Sequence, residues 1–293
     1  MLRPRVLFCL FIWPELREGR EPWQPILDAI RMRPQLDWLI IINPNSGPGE
    51  NPPHEDYLRA LPLLRQAAAP GQAVELLGYV RTVWTQRGVH DVKRDVRQYA
   101  SWSSLGPEYA LNGIYYDEST WHEGAVTHYA ELAAFARTLR WDAWKALPAQ
   151  ASSSARSDLI ALNPGCNVHE DYFQFADHIV VHEQTVQSWM PGSLLNRPYS
   201  HRSIPSHKYA LLLHDGPLGT AAVAPGGFAS SIPQHLAFSV DTPCTTQAVS
   251  ELALRRARVG AFFLTSLSLE IEDIYAAFGR NFEEWLDAFE RCL

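Results

Sequence analysis

The chain lacks the marks of several common chemistries. Its four cysteines, Cys9, Cys166, Cys244 and Cys292, lie far apart, without the two-residue spacing that zinc sites and redox pairs use. They read as reduced thiols or at most two bridges and do not fix a compartment. An excess of basic charge is also missing: 25 Lys+Arg stand against 32 Asp+Glu, for a net charge of −7. Without clustered cations to displace phosphate counterions, a nucleic-acid partner is excluded. No run approaches the roughly 18 apolar residues that a bilayer crossing needs, which removes the membrane as a partner. The longest early run, Val6 to Trp13, follows Arg3 and Arg5 as the core of a signal peptide would. Pro14-Glu15-Leu16-Arg17-Glu18 then stands where a small-residue cleavage site belongs, so the run is expected to be a first buried strand.

Cofactor motifs are absent as well. No strand is followed by a Gly-x-Gly-x-x-Gly turn or by a Gly-Lys-Ser/Thr phosphate loop. Asn45-Ser46-Gly47-Pro48-Gly49 contains glycines, but Pro48 removes a backbone donor and no lysine follows, so it reads as a tight turn. Neither His122-Glu123 with His128 nor His178 and His182 with Glu183 forms His-Glu-x-x-His. On a regular strand, residues 178 and 182 share a face about 13 Å apart, too far to chelate one ion. No Gly-x-Ser-x-Gly elbow ends a strand, and no motif links Cys166 to His182 or His214. The expectation is a protein with no metal and no cofactor.

What is present is a globular composition, 46% hydrophobic and 19% charged over 293 residues. Short β-rich apolar runs at 6–13, 38–43, 74–80, 112–117, 158–163, 178–183, 208–214 and 259–265 alternate with segments of helical spacing, the pattern of a parallel sheet. Leu39-Ile40-Ile41-Ile42 and Ala261-Phe262-Phe263-Leu264 are continuous apolar runs, as strands covered on both faces require. Helical stripes are expected over 54–69, 90–100, 123–140, 245–258 and 281–291, the first starting after or kinking at Pro62. Eight such strands favour an α/β fold, a (β/α)8 TIM-type barrel formed by residues 1–293 as a single domain, over an open doubly wound sheet. The Gly-, Pro- and Ser-rich stretch 215–243 reads as a long loop or insertion.

In a barrel of this kind the active centre lies at the carboxyl ends of the strands. Two acids, Asp117-Glu118, end the run Gly113-Ile114-Tyr115-Tyr116, and Glu183 ends a different one. Strand alternation lets only one of the adjacent pair face the axis unless the strand has already turned. A capped, solvated strand end explains that pair equally well. A third acid from a separate strand favours chemistry, because glycosidic cleavage needs one protonated carboxyl and one ionised carboxylate converging on a bond. Other polar or aromatic residues at strand ends, Trp13, Asn43, Tyr79, Thr82, Tyr116, Asn163 and His214, make up the expected substrate-binding set. Trp13, Trp84, Trp121 and Trp189 follow strand ends, where flat rings suit the C–H faces of sugars, although most of ten tryptophans serve packing.

The ordered series Trp13-Pro14, Ile42-Asn43-Pro44-Asn45-Ser46-Gly47-Pro48-Gly49, Gly78-Tyr79-Val80-Arg81-Thr82, Gly113 to Glu118, Asn163-Pro164-Gly165 and Val181-His182-Glu183 resembles the spherulin-4 family, which includes the fungal glycoside hydrolases of family 135. The likeness runs from about residue 6 to about residue 215. It implies a (β/α)8 barrel and endo-acting hydrolysis of α-1,4-linked N-acetylgalactosamine, as in the galactosaminogalactan of fungal walls and biofilms. Asp117, Glu118 and Glu183 match the family's acidic positions. By that resemblance Asp117 is nucleophile or ion stabiliser, Glu183 general acid/base, and Glu118 a supporting group. In an α-linked sugar the acetamido group is cis to the leaving oxygen, so an enzyme carboxylate is the expected nucleophile and the stereochemistry is retained. Cys166, His182 and the 215–243 stretch depart from the family pattern. A silent glycan-binding relative and a hydrolase of deacetylated galactosamine are the competing readings. The resemblance implies an extracellular or cell-wall setting. No cleavable leader is visible, which leaves a cytoplasmic one open, and oligomeric state is not legible.

Overall fold

The computed structural model describes residues 3–148, 154–192, 203–218, 244–269 and 273–293. Eight parallel strands close on themselves in sequence order. They are β1 Arg5–Leu10, β2 Asp37–Ile42, β3 Val74–Arg81, β4 Gly113–Asp117, β5 Leu159–Leu162, β6 His178–Thr185, β7 Tyr209–His214 and β8 Ala261–Leu264. Closure comes from β1 pairing with β8, Arg5 opposite Ala261 and Val6 opposite Phe262. The expected (β/α)8 architecture is therefore the observed one. All eight expected strands are present, with the first and last shorter than the apolar runs that announced them. Residues 219–243, most of the expected insertion, lie outside the described residues.

The helices are α1 Gln24–Met32, α2 Glu55–Ala67, α3 Val89–Ser101, α4 Val126–Arg137, α5 Val186–Gly192, α6 Thr246–Glu251 and α7 Phe282–Cys292. Their apolar stripes cover the outside of the barrel. In α7, Phe282, Trp285, Leu286 and Phe289 recur at helical spacing and are buried, and Trp285 packs edge-on against Phe262 and Phe263 of β8. α2 neither starts after Pro62 nor ends there. It runs through, leaving the Leu58 carbonyl without the amide that proline lacks. α6 passes into a π-helical turn over Leu252–Ala257, which stops at Arg258 in the left-handed region, φ 56°. α1 was not anticipated, although Ile26, Leu27 and Ile30 are buried on one face, because its stripe spans barely two turns.

One irregularity of the sheet bears directly on the site. Along β6, Val180 pairs with Ala210 and His182 with Leu211, so Val181 is an extra residue in the ladder. A bulge of this kind resets the alternation of the strand that carries it. His178 shares a level with Ala161 of β5 and faces the interior. Beyond Val181 the inward positions change from even to odd numbers, and Glu183, level with Leu212, turns inward. The expectation that residues 178 and 182 share one face is thereby corrected.

Candidate active site

The carboxyl ends of β3, β4, β5 and β6 bring one polar group each to a common point. Asp117, the last residue of β4, accepts from the Tyr79 hydroxyl of β3 at 2.6 Å on Oδ2 and from Asn163 Nδ2 at 2.7 Å on Oδ1. The same Asn163 nitrogen donates to Glu183 Oε2, also at 2.7 Å. One amide thus gives a hydrogen to each acid, and the two acceptor oxygens lie no further apart than twice that distance. The Gly165 amide donates to Asn163 Oδ1 at 3.1 Å, which settles the way the amide faces. This closes an Asx-type turn through Pro164, with Gly165 supplying the left-handed φ of 65°. A side chain at 165 would meet Glu183 Cβ at 3.6 Å, and the Gly165 carbonyl accepts from the Glu183 amide at 3.2 Å. The Asn-Pro-Gly sequence therefore orients Asn163 and seats Glu183 together.

The other oxygen of Glu183, Oε1, accepts a short hydrogen bond from the Tyr275 hydroxyl. Tyr275 comes from the segment after β8 and was missed by sequence reasoning, since no strand end or motif marks it. Phe11 packs between the two tyrosines, 5.3 Å from the Tyr79 ring and 5.0 Å from that of Tyr275. Burial drives the Asp117 carboxyl up from 3.8 to about 6, and the nearby Glu183 charge adds to this against the opposing hydrogen bonds from Tyr79, the Glu118 backbone and Asn163. Burial first, then Asp117 and Glu183 respectively, push the Tyr79 and Tyr275 hydroxyls upward, so both stay protonated donors. Cys9, beneath them, is raised by burial and then by both acids. That leaves an inert thiol.

Glu118 has left the strand, as alternation requires. Its φ is 48°, and its Oε1 accepts from Arg81 Nε at 2.9 Å. Oε2 is buried with no partner among the described residues. Val83, Trp84 and Thr85 are all in the left-handed region, φ 49°, 47° and 76°, and the Trp84 amide donates to the Glu118 carbonyl at 2.7 Å. Four non-glycine residues in this sparsely populated region at one end of the barrel mark the kind of place where folds hold functional groups.

The expected substrate-binding set divides. Tyr79 and Asn163 are in the site. Trp13 is exposed on the rim, with Nε1 donating to Asp56 at 3.1 Å, and Asn43 Oδ1 accepts from the Gly47 amide at 3.3 Å, bracing the β2 loop. His214 is buried at the end of β7, 2.7 Å from Asp215 Oδ2. Two expectations are corrected. Tyr116 alternates away from the mouth, is fully buried, and its hydroxyl donates to the Leu132 carbonyl of α4; Tyr115 is the tyrosine on the Asp117 side of the strand. Thr82 is buried too, its hydroxyl within 3.0 Å of the Asp117 and Glu118 carbonyls and of the Tyr129 hydroxyl, so it ties the loop and has no face left for a ligand. Of the four tryptophans, Trp84 and Trp121 are exposed while Trp189 is buried.

Among the described residues no three His, Cys, Asp or Glu side chains are grouped to hold a metal ion. His178 lies inside the barrel, driven down to about 3 by burial and then by Arg5, and so stays neutral. No helix of the described residues is long and apolar enough to cross a membrane.

The sequence profile of spherulation-specific family 4 matches residues 5–289. The chain belongs to that family. Spherulin-4 of Physarum polycephalum is 26% identical over 197 residues, a match covering 67% of this chain and 48% of that protein, so the aligned part spans about half the length of this spherulin-4 relative. The crystal structure of Sph3 from Aspergillus clavatus in complex with GalNAc superposes with a TM-score of 0.70 at 24% identity, covering 98% of each chain. At that identity the likeness to Sph3 establishes the shared barrel.

Proposed function

We propose that this spherulin-4 family member is an endo-acting glycoside hydrolase of α-1,4-linked N-acetylgalactosamine or galactosamine in a galactosaminogalactan-type polysaccharide, working with retention. The observation that carries the reading is the Asn163 amide shared between Asp117 and Glu183. Its two 2.7 Å bonds keep one oxygen of each acid close to the other, which supports the roughly 5–5.5 Å carboxyl spacing of retaining enzymes over the roughly 6.5–9.5 Å of inverting ones. Sph3, which shares this barrel, is in complex with GalNAc, which supports the choice of sugar.

In this mechanism Glu183 donates its proton to the glycosidic oxygen as Asp117 attacks C1 from the opposite face. The C1–O bond breaks, the leaving chain departs as an alcohol, and Asp117 is esterified. Glu183, now ionised, takes a proton from water, whose oxygen attacks C1 and releases Asp117 as carboxylate. Tyr79 and Asn163 hold the Asp117 oxygens in place, and Tyr275 does the same for Glu183. Glu118, paired through Oε1 with Arg81 beside the acids, is the supporting group. The polymer is extracellular or part of a cell wall in this reading.

The test is digestion of fully acetylated and partially deacetylated α-1,4-galactosaminide oligomers, read by mass spectrometry for internal cleavage and by proton NMR for the first anomer released. An α product is expected; a β product overturns retention, and folded protein that binds both oligomers but cuts neither overturns the hydrolase reading. The pH profile assigns the roles. Attack requires ionised Asp117, so kcat/KM is expected to rise through about pH 6, where this group loses its proton. A fall over the same range exchanges the two acids.

A further inference from the structure

On the rim of the barrel a cleft of about 170 Å³ opens between Trp13, the turn from Pro44 to Glu50, and His54. It has room for roughly five water molecules at about 30 Å³ each, the scale of one sugar ring. Its wall is already braced. Trp13 Nε1 is tied to Asp56, and its ring meets Tyr57 and His54 edge-on at 5.2 Å, while 37% of the residue is exposed. This fixes the plane of the indole and leaves part of it free. His54 Nδ1 accepts the Asp56 amide as the cap of α2, so in the neutral ring the proton is on Nε2. Glu50 also lines the cleft, and among the described residues no Lys or Arg pairs with it.

The position ties this cleft to the acids. Trp13 follows Phe11 by two residues, and Phe11 packs on the tyrosines that hold Asp117 and Glu183. A chain bound across the acids and lying toward β1 and β2 passes over it. The geometry points to a second sugar subsite, built for a hexosamine whose amino group is free and cationic. An ammonium is attracted by the face of an indole and by an unneutralised carboxylate together, an attraction that a neutral N-acetyl group does not share. This inference rests on the hydrolase reading for its polymer and goes further in naming the deacetylated unit that the cleft selects. The enzyme it describes cuts where a free amine falls a fixed number of units from the scissile bond.

Binding of acetylated and partially deacetylated α-1,4-galactosaminide hexamers to the full chain, measured by calorimetry, tests it separately from turnover. The wild type is expected to prefer the deacetylated hexamer by about tenfold. Glu50→Gln is expected to erase that preference, and Trp13→Ala to weaken the deacetylated hexamer about tenfold, with Trp13→Phe recovering part of the loss and the disaccharide moving less than the hexamer. If Glu50→Gln leaves the ratio of the two affinities unchanged, the subsite is wrong even where cleavage proceeds. If the preference is present and lost in Glu50→Gln but no hexamer is cut, the subsite stands and the hydrolase reading falls. Absence of any hexamer binding overturns both.

Discussion

Asp117→Asn is expected to lower kcat/KM on the galactosaminide oligomers by at least roughly 10³-fold, and Glu183→Gln by roughly 10²–10⁴-fold. A structural role for Asp117 predicts lost stability alongside lost activity, whereas the geometry predicts that the two move in opposite directions. The folded chain holds this carboxyl at about 6 against an ordinary 3.8. Below 3.8 both folded and unfolded chains carry the proton and the difference contributes nothing. Between 3.8 and about 6 the unfolded chain has released it and the folded chain has not, so stability falls as pH rises through this window. Above about 6 the folded protein bears the full cost of an ionised Asp117 beside Glu183, of order 3 kcal/mol. The asparagine introduced by the substitution carries no such charge, accepts from Asn163 through its carbonyl, and donates to the Tyr79 hydroxyl, which gives up the bond it donates to Asp117, a loss of about 1 kcal/mol against the larger cost of the charge. The variant is therefore expected to be inactive and yet unfold at a higher temperature than wild type at about pH 7, an advantage that disappears near about pH 3.5. Thermal unfolding at both pH values, beside the rate assay, checks this. Equal or lower stability at neutral pH would return Asp117 to a structural role.

Gly113→Ala is expected to cost about 3 kcal/mol or more. Gly113 opens β4 at φ 156°, and a Cβ there would lie 2.0 Å from the Leu159 carbonyl oxygen and 2.7 Å from the Leu159 nitrogen. These are backbone atoms of β5 at the level where the strands pair, held by the Leu159 amide on the Asn112 carbonyl, so they cannot rotate aside as a side chain would. Relief requires β4 and β5 to part, and those strands lead to Asp117 and Asn163. Gly19→Ala is the matched comparison: φ is 74°, with no atom within 4 Å of the added carbon, so only backbone strain of about 1 kcal/mol is expected. Urea midpoints of the two variants separate close approach from strain. A Gly113→Ala protein no less stable than Gly19→Ala would show that β4 and β5 are not so tightly joined.

The strands were legible because a sheet covered on both faces needs unbroken apolar runs, and Leu39 to Ile42 or Ala261 to Leu264 have no other use in a folded chain. Asp117 was legible for the same reason in reverse, as a carboxylate at the end of such a run. Counting back by two from Asp117 reaches Tyr115, so the exchange of Tyr115 for Tyr116 was recoverable from alternation alone. Glu183 was reached by the right residue on the wrong parity, since regular alternation from His178 sends it outward. Tyr275 had no signature at all. It lies beyond the last strand, and its meaning comes from closure, which brings the end of the chain back over β1. The brace that holds Thr82 against Tyr129 is similarly a product of α4 packing on the loop, and a polar residue two places past a strand end cannot announce which way it will turn.

The extra residue at Val181 makes the address of Glu183 a matter of counting. His178 and Glu183 both face inward although five positions separate them, an odd interval that only the surplus residue on β6 permits. A chain without that valine would carry a regular sixth strand, with its carboxylate four positions after the inward histidine and still aimed into the mouth. Laid against the present sequence with no gap, that carboxylate falls opposite His182, and the place of Glu183 is taken by whatever residue comes next. A reader comparing columns of letters would count the acid as lost. The barrel would have it at the same level of the mouth. For members of this family, the counterpart of Glu183 is therefore the side chain that reaches the level of Leu212 on the neighbouring strand, and not the letter that shares its column.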